Sequence, residues 1–289
     1  IKSGITTSPH LVSWCERIRI NTSPINVYDF KKHLTSIQAI IERNRLTPFE
    51  IVIAIALDYF KVKKIELLVL EAGLGGRLDA TTAHPFRPII AISSIGLDHC
   101  EFLGPTLKEI AEEKASVITP QSIVISARQH PEVEKVIQNI AKKQNASLQF
   151  VNPLSKNWEL GIHGEIQAQN AAVAKASLEC LNHYGWEVAE ERIRQGFKHA
   201  KWPGRLQKAS WRNHPLIIDC AHNPHAAAQL AKERNSWDGN TSGIQWILGI
   251  QSHKDAPAIL NRLLKSNDSA WIVPVPNHDS WSRDKLSTK

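Results

Sequence analysis

Short apolar segments alternate with longer amphipathic segments along most of the chain. The short runs are rich in Ile, Leu and Val, a composition typical of buried strands. Strands are predicted at Glu66–Glu71, Pro88–Ile95, Ser122–Ser126, Leu216–Asp219, Ile244–Gly249 and Ala270–Val275. Because helical segments separate these strands, the pattern indicates the α/β class, with a mainly parallel sheet covered by helices.

Helix start signals support this alternation. The segment Thr47–Glu50 combines an N-cap Thr, a Pro at the first helical position and a Glu at the third, which is a capping box opening a helix toward Phe60. Thr106 and Glu109 repeat the spacing before a helix that runs through Ala115. Periodicity predicts further helices at Pro131–Gln144, Gln167–Tyr184, His225–Ser236 and Ala256–Lys265.

The pattern restarts at Lys201–Gly204 (KWPG), which places a domain boundary near residue 202. We therefore expect a first α/β domain over residues 1–202 and a smaller α/β unit over residues 203–289. A length of 289 residues agrees with about two domains.

Composition narrows the class of protein. Hydrophobic residues make up 42% and charged residues 22%, as in ordinary globular proteins, which excludes disorder, collagen and coiled coil as the main state. The apolar stretch Ile51–Leu57 is far shorter than the roughly 20 residues that span a bilayer, and no signal peptide opens the chain. Four cysteines without a CxxC pair argue against zinc or disulfides and favour the cytoplasm. A net charge of +7 (35 − 28) suits anionic small molecules and is too diffuse for nucleic acid.

Two features are missing from the sequence. The chain starts at Ile1 and contains no methionine, so we expect it to be a fragment of a longer protein. The phosphate-binding motif GxxxxGK[ST] is also absent, since the dipeptide Gly-Lys never occurs.

The densest polar segment is Glu71–Thr81 (EAGLGGRLDAT). Glu71 follows a predicted strand, at the edge where open α/β sheets bind ligands, and the glycines would let backbone N–H groups approach an anion. A plain strand-to-loop turn that needs glycine for its geometry explains the segment equally well.

Asp98 and His99 follow the next predicted strand. If the two strands are neighbours, these side chains could reach a metal bound by Glu71. The alternative is an Asp–His hydrogen bond that caps the loop. Lys114 lies one helix further on, where a solvated charged face is the ordinary explanation, although its side chain could turn back toward the same edge.

The second unit has its own polar turn, Asp219–Pro224 (DCAHNP). Asp219 could take a ribose hydroxyl or position a cation, and His222 precedes a predicted helix N-terminus, which favours anions. N-capping by Asn223 is compatible with such a role. Arg205 could reach a phosphate, although by spacing alone it is an ordinary surface arginine.

Taken together and in order, the motifs are far more specific than any one alone. They are TTSPHLVSWCERIRIN, TPFE, LEAGLGGRLDATT, SSIGLDHCEFLGPTLKEIAEEKASVI, QNAAVA, WPGRLQ, DCAHNP and HKD. This series, from Ile5 to about Trp281, resembles the bifunctional folylpolyglutamate synthase/dihydrofolate synthase family of the Mur-ligase superfamily. The resemblance implies a P-loop-NTPase-like, mainly parallel sheet domain that binds ATP, magnesium and folate (1–202). A smaller, truncated Rossmann-like α/β domain follows (203–289).

The resemblance also implies an activity, that of an ATP-dependent carboxylate–amine ligase of folate biosynthesis. ATP would activate a carboxylate as an acyl phosphate, and the α-amine of L-glutamate would displace phosphate. The carboxylate belongs to dihydropteroate or is the γ-carboxyl of a (tetrahydro)folate. The implied cofactors are ATP, one or two Mg²⁺ and K⁺, in a cytoplasmic monomer without nucleic-acid or membrane partners.

Metal and catalytic roles carry over to particular residues. Ser8, Glu71 and His99 look like magnesium ligands. Lys114 looks like a carbamylated lysine that offers an oxygen to a second magnesium, so His99 and Lys114 are the implied catalytic residues.

Ligand contacts carry over in the same way. The implied nucleotide contacts are Asn170, Arg205, Asp219 and His222. The implied pterin contacts are Thr47, Phe49, Leu78, Asp79 and Ala80.

Departures from the family pattern leave alternatives open. Cys220 stands where glycine is common and Thr82 where Asn is expected, and both are tolerable. Because the phosphate-binding loop is missing, we expect this chain as written to be an inactive fragment. The alternatives are another Mur-superfamily ligase, of peptidoglycan or cyanophycin type, and a non-catalytic remnant. The GLGGR and DATT segments favour folate.

Overall fold

The computed structural model describes residues 1–237, 243–282, 284 and 286. The chain divides into two compact units, one formed by Ile1–Pro88 and Ala111–Thr119 and the other by Ile89–Ile110 and Pro120–Lys289. The predicted boundary near residue 202 does not coincide with this division. Asp98 and Asn223 lie on opposite sides of that boundary, yet both belong to the second unit and are hydrogen-bonded to each other. The boundary near residue 202 remains a prediction. Among the helices of the described ranges, none has both the length and the apolar character needed to cross a bilayer.

The first unit contains a four-stranded mixed sheet in the order β3-β2-β1-β4. β1 (Ser3–Thr6) pairs in parallel with β4 (Leu67–Leu70) and antiparallel with β2 (Ile18–Ile20), which pairs with β3 (Ser23–Pro24). Its helices are α1 (Val27–Ser36), α2 (Gln38–Asn44) and α3 (Pro48–Lys63).

The core of the first unit forms where α3 covers this sheet. α3 begins with the predicted capping box: the Thr47 side chain accepts from the Glu50 N–H, and the Glu50 carboxylate accepts from the Thr47 N–H. The helix then buries Ile55 and Phe60 against Ile18 of β2. The apolar face that the sequence places between Ile51 and Leu57 is therefore a core face.

The second unit begins with a three-stranded parallel sheet, in the order β5 (Ile89–Ile92), β6 (Ile123–Ala127) and β7 (Ser147–Val151). Its helices are α4 (Cys100–Leu103), α5 (Leu107–Ala115), which continues into the first unit, α6 (Pro131–Lys143), α7 (Glu165–Glu179) and α8 (Glu190–His199). Val173 and Ala176 of α7 pack on Ile125 and Ala127 of β6.

The chain then forms a hairpin and a small parallel α/β layer. The hairpin is β8 (Gln207–Trp211) with β9 (His214–Ile218), and the layer contains α9 (Pro224–Lys232), β10 (Gln245–Leu248), α10 (Ala256–Leu263) and β11 (Ser269–Ile272). A buried ion pair between Arg234 and Asp268 stabilises this layer. Asp268 binds both terminal nitrogens of Arg234, at 2.5 and 2.8 Å, and accepts from the Trp246 indole at 3.0 Å. The pKa of Asp268 lies far below its usual range, and the main cause is the Arg234 guanidinium.

One expectation behind the metal prediction, that two strands are neighbours, stays a prediction. The strands that precede Glu71 and His99 belong to different compact units, where β4 pairs with β1 and β5 pairs with β6. In the described ranges both β4 and β5 are edge strands. Apolar runs identify strands but not their partners. Here β1, a four-residue strand that the pattern did not single out, occupies the place beside β4.

Candidate functional site

Ser8 and Glu71 lie together at one edge of the first sheet. β1 and β4 are parallel and in register, Thr6 opposite Leu70, so the residues that follow them emerge at the same edge. The Ser8 N–H donates to Oε2 of Glu71 at 2.8 Å. Two predicted magnesium ligands are therefore adjacent, although they are 63 positions apart in the sequence.

The loop after Ser8 is held by a single carboxylate. Glu16 accepts from the backbone N–H groups of Leu11, Val12 and Ser13 at 3.0, 3.0 and 2.7 Å. These bonds, that of Leu11 first, hold the pKa of Glu16 below its usual value. The loop after Ser8 is thus ordered by bonds within the chain.

Asp79 organises the glycine-rich loop. Its buried carboxylate accepts from the Gly73 and Leu74 N–H groups at 2.8 and 2.9 Å through Oδ2. Through Oδ1 it accepts from the Thr81 N–H and hydroxyl at 2.9 and 2.5 Å. A carboxylate has about four acceptor positions, and the chain itself uses all of them. The geometry therefore gives Asp79 a positioning role within the predicted pterin pocket.

The other predicted pterin residues surround this loop. The Phe49 ring packs on Gly73, where a Cβ would lie 2.7 Å from Phe49 Cζ. Ala80 begins a short 3₁₀ turn, Ala80–Ala83, that contacts α3. Leu78 is 81% exposed, an apolar side chain available to a ligand, whereas Thr47 is occupied as the α3 cap. The predicted pterin residues thus lie around one loop, and their contact with a pterin stays a prediction.

Lys114 lies where α5 meets the same loop. A Cβ on Gly76 would overlap the carbonyl oxygen of Glu113 and lie 3.0 Å from that of Lys114, so only glycine allows this approach. Arg77 reinforces the junction through an ion pair with Glu113 at 3.0 Å. The half-buried Lys114 thus stands beside the glycine-rich loop. Its metal-binding role and its carbamylation stay predictions.

His99 occupies a constrained backbone position in the second unit. Its left-handed conformation (φ 52°, ψ 38°) is uncommon for a non-glycine residue, and it precedes α4. The neighbouring Asp98 carboxylate accepts from the His99 N–H at 3.0 Å and lies 3.7 Å from its Nε2. The Asp–His bond that the sequence left as an alternative is therefore present.

Asp219 ties together the segments that carry the predicted nucleotide contacts. It accepts from the Leu206 N–H at 2.9 Å and the Ala221 N–H at 2.8 Å, so the turn after β9 is joined to the loop that contains Arg205. His222 Nδ1 lies 2.9 Å from the Cys220 carbonyl. Asn170 lies on α7, where its amide donates to Gln167.

A cavity of about 770 Å³ opens at the carboxyl edge of β5, β6 and β7. The ionisable residues of its lining are mostly basic, with Arg128, His130, His225, Lys232 and Arg262 against the carboxylate of Glu165. Burial lowers the pKa of His225, and Lys232 acts in the same direction. The cavity suits an anionic or partly anionic ligand.

The donor set fits magnesium only if other ligands supply most of the coordination. In the described ranges no group of three or more His, Cys, Asp or Glu side chains is placed to hold a metal. Magnesium commonly keeps several waters and binds one or two carboxylates plus nucleotide phosphates, and the exposed Glu71 beside Ser8 fits that habit. His99 belongs to the other unit, so its share in the site stays a prediction.

Sequence reasoning missed the convergence of three residues. Asp98, Asn223 and Lys254 converge, with Asp98 accepting from the Asn223 amide at 2.7 Å and lying 3.8 Å from the Lys254 ammonium. All three stand inside recognised motifs, but nothing in one sequence shows that GLDH, DCAHNP and HKD meet.

Comparisons with known proteins show which family this chain resembles. A family model described as dihydrofolate synthetase, C-terminal domain, matches residues 204–278. The chain is 31% identical over 289 residues to the dihydrofolate synthase/folylpolyglutamate synthase of Escherichia coli strain K12, covering 95% of this chain and 67% of that protein.

Solved structures extend the similarity to the fold. Mycobacterium tuberculosis folylpolyglutamate synthase complexed with ADP superposes with a TM-score of 0.89 at 28% identity, covering 99% of this chain and 71% of that one. E. coli FolC in complex with DHPP and ADP gives 0.86 at 30% identity, covering 99% and 71%. The predicted α/β, Mur-ligase-like fold is confirmed. This chain belongs to the dihydrofolate synthase/folylpolyglutamate synthase family of ATP-dependent ligases.

Proposed function

We propose that the protein containing this chain adds L-glutamate to dihydropteroate, to the γ-carboxyl of a folate, or to both. The observation that carries the proposal is the pairing of Ser8 and Glu71 at one sheet edge, beside a glycine-rich loop. Support comes from similarity to ligases solved with ADP and with DHPP.

The proposed chemistry has two balanced steps. The γ-phosphoryl group of ATP passes to the substrate carboxylate, and ADP leaves. The α-amine of glutamate then attacks the acyl carbon, phosphate leaves with the bonding electrons, and the amine loses a proton. Positioning and charge neutralisation dominate such phosphoryl transfers.

Residues of this chain would bind the metal ions, the nucleotide and the pterin during these steps. Glu71 and Ser8, with His99, would hold magnesium, which when bound neutralises charge on the phosphates. Lys114, as a carbamate, would bind a second magnesium ion. K⁺ would bind as a further cation. Arg205, Asp219 and His222, with Asn170 on α7, would contact the nucleotide. Leu78 and Phe49 would contact the pterin. We further propose a cytoplasmic monomer that acts on small molecules.

The test is an assay of the complete natural polypeptide with dihydropteroate and tetrahydrofolate side by side, following glutamate-dependent ADP release. Glu71→Gln should lower kcat by about 10²- to 10³-fold, because charge develops on the phosphates in the transition state. Glu132→Gln, at an exposed position on α6, is the matched control and should leave kcat unchanged. Wild-type kinetics in Glu71→Gln would remove Glu71 from the site.

We also propose that the 289 residues alone are inactive. They contain no GxxxxGK[ST] loop, whose backbone N–H groups and lysine cradle phosphates in related chemistry. Purified as written, the chain should release no phosphate in a glutamate-dependent way. Turnover near that of the complete polypeptide would show that another loop, such as GLGGR, cradles the phosphates.

A further inference from the structure

The Asp98 carboxylate is a meeting point for groups from three separate segments. Its Oδ2 accepts from the Asn223 amide at 2.7 Å, across 125 positions of sequence, and lies 3.8 Å from His222 Nε2. Its Oδ1 lies 3.8 Å from Lys254 Nζ and accepts from the His99 N–H. One carboxylate thus links the loop after β5, the turn after β9 and the segment before α10.

The partners of Asp98 are themselves held in place. Asn223 is the N-cap of α9, and its Oδ1 accepts from the Ala226 N–H at 2.7 Å, which leaves its NH₂ group directed at Asp98. Three bonds fix the backbone of Lys254. Its N–H donates to the Gln251 carbonyl, and its own carbonyl accepts from the Ala256 N–H and the Trp281 indole. Asp98 therefore contacts rigid anchors at the start of two helices.

Burial strengthens these contacts. The side chains of Asp98 and Lys254 are 27% and 15% exposed, so their charges are less screened than those of a surface pair. The Asn223 bond is charge-assisted, a class about twice as strong as a neutral bond.

We propose that Asp98 is a positioning residue, which holds the turn carrying Asp219 and His222 against the loop carrying His99. For its effect on ligands the proposal rests on the function proposed above, in which Asp219 and His222 contact the nucleotide. Without Asp98, the amide of Asn223 loses its acceptor and the ammonium of Lys254 loses the carboxylate beside it, and the turn is no longer fixed to the sheet edge.

Two measurements on the complete polypeptide test this. Titration with ADP should show Kd raised by about 10-fold in Asp98→Ala, since a charge-assisted bond is lost. Asp98→Asn retains an oxygen that can accept from Asn223, so its increase should be smaller. Amide hydrogen exchange should rise at Cys220 and Ala221 in Asp98→Ala, while β5, β6 and β7 keep their protection.

A double-mutant cycle makes the test specific. If Asp98 acts partly through Asn223, the variant combining Asp98→Ala with Asn223→Ala should weaken ADP binding by less than the product of the two single effects. Glu190→Ala, which removes an exposed ion pair with Arg194 on α8, is the control and should change neither measurement.

The outcomes separate the two proposals. Independent, multiplying effects in the cycle, or unchanged exchange at Cys220 and Ala221, would overturn the role of Asp98. If the wild-type polypeptide binds no ADP, the proposed function fails, and the exchange measurement still decides whether Asp98 holds the turn.

Discussion

At the residue scale, buried carboxylates order the loops that carry function. The Asp79 carboxylate accepts hydrogen bonds from the N–H groups of Gly73, Leu74 and Thr81. The Asp268 carboxylate accepts from the Arg234 guanidinium and the Trp246 indole. Each replaces water around several donors at once, so its removal leaves those buried or partly buried donors without acceptors.

For Asp79 we expect a large stability effect from a change in one side chain. Asp79→Ala should lower the free energy of unfolding by about 3 kcal/mol, because unsatisfied donors each cost about 1–3 kcal/mol. Urea denaturation measures this. The neighbouring Leu78→Ala, at an exposed position, should change stability by less than about 0.5 kcal/mol, while weakening dihydropteroate binding if Leu78 contacts the pterin. Equal stability losses in both variants would contradict this assignment.

For Asp268 the expected effect depends on pH. Its pKa lies below the usual value in the folded state, so its contribution to stability is complete above about pH 4, the ordinary aspartate value, and is lost as the pH falls below it. Asp268→Asn should cost about 3–5 kcal/mol at pH 7, because Arg234 stays buried without its anion. Between pH 7 and pH 3 the wild type should lose more stability than the variant, as measured by urea denaturation. Parallel losses would show that Asp268 is not the titrating group.

At the element scale, close approaches between elements matter more than the elements alone. The glycine-rich loop touches the end of α5 through Gly76, and the two are further joined by Arg77 and Glu113. The position of Lys114 therefore depends on a residue 38 positions earlier that carries no side chain.

A pair of glycine variants tests this contact. Gly76→Ala should lower the free energy of unfolding by about 1–3 kcal/mol, because its Cβ would overlap the Glu113 carbonyl and force α5 to shift. Gly196→Ala, inside α8 with nothing within 4 Å of the new Cβ, should raise stability by about 0.5–1 kcal/mol. Thermal or urea denaturation compares the two. A neutral Gly76→Ala would mean that the loop and α5 separate easily.

At the scale of the whole molecule, each compact unit carries part of the predicted chemistry. Ser8, Glu71, Lys114 and the pterin residues belong to the first unit, and His99 and the nucleotide residues to the second. Activity should therefore respond to changes in either unit that leave folding intact.

Arg205 is the clearest test in the second unit, because it is exposed while the loop around it is fixed by Asp219. In the complete polypeptide, Arg205→Ala should raise KM for ATP by about 10-fold, the loss expected for a charged hydrogen bond to phosphate, with little change in stability. Lys208→Ala, exposed on β8, should leave KM unchanged. ATP kinetics identical to wild type would remove Arg205 from the site.

What the sequence determined by itself is local. The capping box at Thr47, the strands before Glu71 and His99 and the helix that ends at Ala115 appear where they were predicted, because capping and periodicity act within a few residues. The motif series was enough to indicate the family, because each motif is a short, ordered stretch.

Only the tertiary structure decided which distant segments meet. Pairing of β1 with β4 joins Ser8 to Glu71 across 63 positions, and Asp98 meets Asn223 across 125. The strands β1 and β7 escaped prediction because strand stability comes from partners and burial more than from intrinsic preference. Such long-range contacts depend on the packing of the whole chain, which local patterns do not encode.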